Sequence, residues 1–109
     1  MHDKHLDCCP APALKTIKSL YSKSHDDEEL RRCGTCGANW FWRFHELMNF
    51  DDGDDEITEW FTRLTEEEAA TIAAAQGRPD LTFLRHRPAI QFDQAGVTRV
   101  HGQPAVPFA

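Results

Sequence analysis

The sequence lacks the features that direct a chain into a membrane or out of the cell. No apolar run in its 109 residues approaches the roughly 20 residues that a membrane-spanning helix needs. The first seven residues, Met1 to Asp7, contain no apolar signal-peptide core. We therefore expect a cytoplasmic protein, in which thiols stay reduced and cysteines bind metal more often than they pair as disulfides.

Catalytic motifs are missing as well. The sequence contains no P-loop, no dinucleotide fingerprint and no Ser–His–Asp set. His45 precedes Glu46, but neighbouring side chains on a strand point in opposite directions, which argues against a base–carboxylate pair. The acidic stretch 51–56 fails the EF-hand template, because placing Gly53 at the sixth position puts Met48 at the first. We expect a protein that is not an enzyme.

Negative charge is abundant and unevenly placed. The net charge is -6, and residues 26–59 carry eleven carboxylates against three arginines. A strongly acidic surface repels phosphate backbones and attracts basic partners. The sequence therefore predicts a basic protein partner, with Trp60 or Phe61 as an apolar anchor. The predicted partner-binding residues are Asp51, Asp52, Asp54, Asp55, Glu56 and Glu59.

Four cysteines are present, and two of them form a distinctive turn. Cys33 and Cys36 are separated by two residues and followed by Gly37, a spacing that aims two thiolates at one tetrahedral ion. Gly37 permits the positive backbone angle needed after the second ligand, and Trp40 and Phe41 are predicted to cover the site. This segment resembles the knuckle of zinc-ribbon and rubredoxin-like proteins. The resemblance covers five to ten residues and implies a local metal-binding turn.

The other half of the predicted site departs from that pattern. A zinc ribbon repeats the Cys-x-x-Cys spacing, whereas Cys8 and Cys9 are adjacent and followed by Pro10. Both can bind one ion only if the backbone turns sharply there. We predict a structural zinc ion bound by Cys8, Cys9, Cys33 and Cys36. In the alternative set, His5 joins Cys8, Cys33 and Cys36, and Cys9 is free.

Three other interpretations of the cysteines compete with structural zinc. They are a redox dithiol at Cys33 and Cys36, disulfide bonds, and four unrelated buried thiols. Iron in place of zinc is compatible with four thiolates.

The predicted fold is α+β, with a small, mostly antiparallel sheet, a zinc knuckle and one well-capped helix. Strands are predicted at 29–33, 39–47 and 56–64 and in a hairpin of 89–93 and 97–101 with a turn at 94–96, whereas 14–22 fits a helix or a strand. A helix is predicted at 65–76, because Thr65 and Glu68 form a capping box and Gly77 and Pro79 end it. We expect one domain over 1–103 and a loose tail at 104–109.

Two functions follow from these predictions. The first is a zinc-stabilised, non-enzymatic protein that acts by protein–protein contact, such as an immunity or inhibitor protein that neutralises a basic toxin. The second is a zinc-ribbon nucleic-acid-binding protein, for which Arg85, His86, Arg87 and Arg99 form the only later basic cluster.

Overall fold

Six antiparallel strands form one sheet in which strands adjacent in sequence are adjacent in space. The computed structural model describes residues 5–23, 25–47 and 56–102. The strands are β1 (Leu14–Lys23), β2 (Asp26–Cys33), β3 (Asn39–Leu47), β4 (Glu56–Leu64), β5 (Pro88–Asp93) and β6 (Gly96–His101). One helix, α1 (Glu66–Ala74), and a 3-10 turn (Thr82–Leu84) lie between β4 and β5. The predicted mixed, mostly antiparallel class is confirmed.

The period-two pattern of the strands gives the sheet two apolar faces. On the helix face, Ala69 and Ile72 of α1 pack against the sheet. The core there also contains Leu20, Leu30, Phe41, Leu64 and Leu84. On the opposite face, called the cysteine face here, the core is Leu6, Cys33, Ala38, Trp40, Trp42, Phe61, Ile90 and Phe92. The aromatic residues of β3 divide between the two faces because successive side chains of a strand alternate.

Several predicted boundaries shift. The ambiguous segment 14–22 is a strand, and its pairing with β2 explains why, since Leu14 lies opposite Cys33 and Lys23 opposite Asp26. In the hairpin, Asp93 pairs with Gly96, so the turn is the two residues between them and Gly96 belongs to β6. The acidic residues 51–55 and the tail 104–109 lie outside the described residues.

The two edges of the sheet differ in regularity. The β1–β2 register shifts twice, between Thr16 and Lys18 and between Ser19 and Tyr21, and β1 carries three lysines. The β5–β6 register runs without a shift from the Pro88–His101 pair to the Asp93–Gly96 pair. Among the described residues, no strand pairs with the outer side of β1 or β6.

Helix α1 begins at the predicted capping box. The Thr65 hydroxyl accepts a hydrogen bond from the Glu68 amide at 3.1 Å, and the Glu68 carboxylate accepts one from the Thr65 amide at 2.9 Å. We expect Thr65→Ala to lower the free energy of unfolding by about 1 kcal/mol, because the Glu68 amide in the first turn of the helix loses its acceptor. Denaturant titration measures the change. Thr71→Ala, in the exposed middle of the same helix, is the matched control, and an equal loss in both variants would refute a capping role.

The helix ends at Ala74, two residues before its predicted end. Gly77 has the expected positive φ of 75°, but Ala75 is already extended, so the glycine shapes the following loop. The last turn contains no basic residue. Its carbonyls are satisfied by Lys18 on β1, whose Nζ donates to the carbonyl oxygens of Ile72 and Ala73, each at 3.2 Å. A cation from a strand thus stabilises the negative end of the helix.

Replacing this lysine tests the contact. We expect Lys18→Met to lower the free energy of unfolding by about 1 kcal/mol, because the methionine retains the aliphatic stem and removes the charge from the helix terminus. Lys23→Met, at an exposed position of the same strand, should leave stability unchanged. Thermal unfolding in low and high salt measures both, and the Lys18 effect should shrink in high salt.

Candidate metal centre

The four cysteine sulfurs lie together at one end of the cysteine face. All four Sγ atoms are within 4.8 Å of one another, and the Cys9 and Cys33 sulfurs are 3.9 Å apart. A zinc–sulfur bond of about 2.3 Å in a tetrahedron places its sulfurs about 3.8 Å apart. No disulfide forms among the four cysteines, all of which lie in the described residues. The arrangement therefore positions four thiols to bind one metal ion.

The turn between β2 and β3 presents two of these sulfurs. The Gly37 amide donates to the Cys33 carbonyl at 2.9 Å, and the Cys33 amide donates to the Ala38 carbonyl at 2.8 Å. These two bonds close the turn and hold Cys33 and Cys36 on the same side of it. Gly37 has φ of 81°, the left-handed conformation predicted for it and rarely adopted by other residues. The backbone of this turn is therefore consistent with the predicted metal-binding knuckle.

The N-terminal segment presents the other two sulfurs. The chain bends through residues 7–11, which is the sharp turn that adjacent ligands require. Buried Leu6 anchors the segment in the core of the cysteine face. Two hydrogen bonds join the segment to the knuckle, from the Thr35 hydroxyl to the Ala11 carbonyl at 2.7 Å and from the Gly34 amide to the Ala13 carbonyl at 2.8 Å.

The geometry favours Cys9 over His5 as the fourth ligand. Cys9 belongs to the sulfur cluster, whereas His5 does not. The His5 ring instead packs against Phe92, with the ring centroids 5.8 Å apart. His5, the one histidine whose sequence spacing from a cysteine suits a ligand, therefore makes an aromatic contact in this structure.

The cysteines differ in exposure and acidity. Cys33 is buried, Cys36 is exposed, and Cys8 and Cys9 are half-buried. Burial raises the pKa of Cys33, but backbone amides of Ala13, Cys36 and Thr35 donate to its sulfur, and the net effect lowers that pKa from 9.0 to about 6. Burial, followed by the Cys36 thiol, raises the pKa of Cys8 to about 12. The thiolate of Cys33 therefore forms more readily than that of Cys8.

Aromatic cover comes from one of the two predicted side chains. Trp40 is only 1% exposed and packs in the same core as Cys33. Cys8 and Cys9 pack against this core. Phe41 lies in the core of the helix face. The prediction that Phe41 covers the site is therefore wrong, because consecutive residues of β3 point to opposite faces.

The predicted partner surface is described only in part. Glu56 is exposed, and Glu59 is half-buried and accepts a hydrogen bond from the Trp42 indole at 2.7 Å. Trp60 and Phe61 are 6% and 1% exposed, so neither can act as an external anchor. Both side chains are buried because β4 lies between β3 and β5 in the sheet, with a packed core on each of its two faces.

Two arginines of the late basic cluster form ion pairs within the protein. Arg87 pairs with Glu68 at 2.5 Å, and Arg99 pairs with Asp7 at 3.1 Å. The Arg87 pair lowers the pKa of Glu68 to about 2. These arginines therefore do not form one continuous basic surface.

A buried charged network on the helix face was not foreseen. Asp26 accepts from Arg43 at 3.2 Å and contacts His45 at 2.8 Å. Glu28 accepts two hydrogen bonds from Arg78, each at 3.0 Å. The sequence does contain a signal for this network. Asp26 and Glu28 lie four and two positions before buried Leu30, so the three side chains point to the same face of β2.

Comparison with known proteins adds no relative to this description. No family model, no curated protein and no solved structure matches the chain. None of the helices in the described residues has the length and apolar character needed to cross a membrane.

Proposed function

We propose that this protein is a small, zinc-stabilised binding protein that acts by protein–protein contact and is not an enzyme. The observation that carries the proposal is that four cysteine sulfurs, enough to complete a tetrahedral metal site, lie within 4.8 Å of one another. Four protein ligands complete a tetrahedral shell, whereas catalytic zinc sites keep one position open for water or substrate. The metal in this proposal therefore supports the fold and does not activate a reactant.

Zinc is the proposed metal because all four ligands are thiols. Soft thiolates in a tetrahedron suit zinc and iron–sulfur chemistry, and zinc adds no redox reactivity to a structural link. The link joins residues 8 and 9 to residues 33 and 36. It thereby holds the N-terminal segment on the core of the cysteine face.

Metal analysis tests this part of the proposal. We expect the reduced protein to bind one zinc per chain. Elemental analysis after expression with zinc, and cobalt substitution followed by the charge-transfer absorption of a tetrathiolate, measure stoichiometry and ligand type. A Cys9→Ala variant should bind more weakly, whereas His5→Ala should bind as the parent does. Absence of stoichiometric metal in the parent would contradict the proposal.

The proposed partner is a basic protein of the same cytosol. The net charge of -6 favours cationic surfaces and speeds their association. An immunity or inhibitor protein that neutralises a basic nuclease toxin is one role of this kind. The acidic charge and the small size of the chain support this role. Nucleic-acid binding is the competing function, and the pairing of Arg87 with Glu68 and of Arg99 with Asp7 weighs against it.

A three-way binding comparison separates the two functions. Short duplex DNA, single-stranded RNA and basic host proteins are each titrated against the zinc-loaded protein at physiological salt. We expect binding to a basic protein that weakens as salt rises, and no nucleic-acid binding at micromolar concentration. Nucleic-acid binding that is abolished by Arg85→Ala and Arg87→Ala would reverse the assignment.

A further inference from the structure

A groove of about 390 Å³ lies along the outer side of α1, away from the metal centre. Ile72 and Ala75 of the helix region form one wall, and Pro79 and Phe83 of the following segment form the other. Phe83 is 38% exposed, although apolar side chains of this size are usually buried. The groove therefore offers an accessible aromatic surface, which the buried Trp60 and Phe61 do not.

Carboxylates line the rim of this groove. Glu67, Glu68 and Asp80 belong to its lining, and no basic residue does. Asp80 accepts hydrogen bonds from the amide and the hydroxyl of Thr82, at 3.0 and 2.8 Å, so its carboxylate is held in place. These two bonds lower the pKa of Asp80, and the charge of Arg85 makes a smaller contribution in the same direction.

The chain's own Arg87 shows which ligand this surface fits. Its guanidinium lies 5.1 Å from the centroid of the Phe83 ring and pairs with Glu68. Arginine is therefore already bound beside the groove by an aromatic ring and a carboxylate together. Glu67 and Asp80 form no ion pair within the part of the chain that the structure describes, and they present the same chemistry to a second cation.

We propose that this groove is the docking site for an arginine side chain, flanked by apolar residues, of the basic partner protein. The aliphatic stem packs between Ala75 and Phe83, and the guanidinium pairs with Glu67 and Asp80. The inference rests on the proposed preference for a basic protein. It adds the location of the contact and the residue type that is recognised.

The test uses a synthetic peptide as the probe. The zinc-loaded, ¹⁵N-labelled full chain is titrated with acetyl-Gly-Leu-Arg-Leu-Gly-amide, and with the same peptide carrying neutral citrulline in place of arginine. We expect amide shifts confined to the groove, at Thr71, Ala75 and Phe83, and only with the arginine peptide. Dispersion of the amide resonances reports that each protein variant is folded.

Variants locate the binding. Phe83→Ala should weaken the arginine peptide about tenfold, as loss of an interface anchor does. The double variant Glu67→Gln, Asp80→Asn should weaken it by up to about fivefold, the scale of exposed ion pairs. The control is Val97→Ala, which shortens an exposed apolar side chain on β6, and it should leave affinity unchanged.

The outcomes separate the groove from the wider function. Shifts that extend beyond the groove and are insensitive to Phe83→Ala would overturn the groove and leave the preference for a basic partner standing. Equal binding of the citrulline peptide would overturn the recognition of arginine. Absence of any shift would overturn the docking site, while the three-way comparison above still decides the class of partner.

Discussion

Cys36→Ser is expected to destabilise the entire protein, by more than about 3 kcal/mol, because metal-binding free energy is folding free energy in sites of this kind. For a chain of this size, that loss lowers the thermal midpoint by about 12 °C or more. The effect is global because the site fixes the N-terminal segment, and buried Leu6 of that segment belongs to the same core as Trp40 and Phe61. Losing the proposed metal link would remove the cover that this segment gives to that core.

A conservative variant distinguishes metal loss from damage to the turn. Cys36 is exposed, so Cys36→His has room and restores a three-thiolate, one-imidazole site of a type that binds zinc. We expect Cys36→His to recover most of the stability. A chelator should lower the midpoint of the parent protein to that of Cys36→Ser and should leave Cys36→Ser unchanged. A parent that melts at the same temperature with and without chelator would refute a structural metal.

Glu28→Ala is expected to cost about 3 kcal/mol, because it removes one partner from a buried ion pair. Burial raises the pKa of Glu28, and the charge of Arg78 opposes that rise. The folded protein therefore gains little from the ionised carboxylate itself. The cost of the substitution arises from the guanidiniums that lose their counter-charge, since Glu28 also supports the charge of buried Arg43.

The next residue on the strand provides the control. Glu29 lies on the opposite face of β2, with 22% of its side chain exposed, and pairs with Arg31 at 2.9 Å. Glu29→Ala should cost no more than about 1 kcal/mol, as exposed ion pairs do. Denaturant titration of both variants at neutral pH makes the comparison. Equal losses of unfolding free energy in the two variants would show that the interactions of Glu28 stabilise the protein no more than a surface ion pair does.

Local signals in the sequence were sufficient for the start of the helix, for strand β3 and for the turn that carries Cys33 and Cys36. The capping box at Thr65, the spacing of Cys33 and Cys36, and the alternation in β3 each depend on residues a few positions apart. The capping box, the strand and the close approach of the Cys33 and Cys36 sulfurs are confirmed, because local geometry alone determines them. The strand at Leu14–Lys23 was ambiguous because its pattern is weak, and only pairing with β2 fixes its conformation.

The remaining features depend on residues distant in sequence. The end of α1 is stabilised by Lys18, which lies 54 positions before Ile72. Burial of Trp60 and Phe61 follows from the central place of β4 in the sheet, which no local pattern reveals. The groove beside Phe83 likewise exists only because the segment after α1 folds back along the helix. Strand order and helix packing therefore had to be observed.

The unequal edges of the sheet bear on how copies of this chain can add to one another. Unlimited growth of a sheet requires one edge of each copy to accept the opposite edge of the next, here β6 against β1. The two register shifts and the lysines of β1 interrupt the ladder that such joining needs. If two copies pair through their β6 strands, each has then used the only regular sheet edge that the described residues provide. Any edge-to-edge association is therefore expected to stop at a closed pair and not to extend into a fibre.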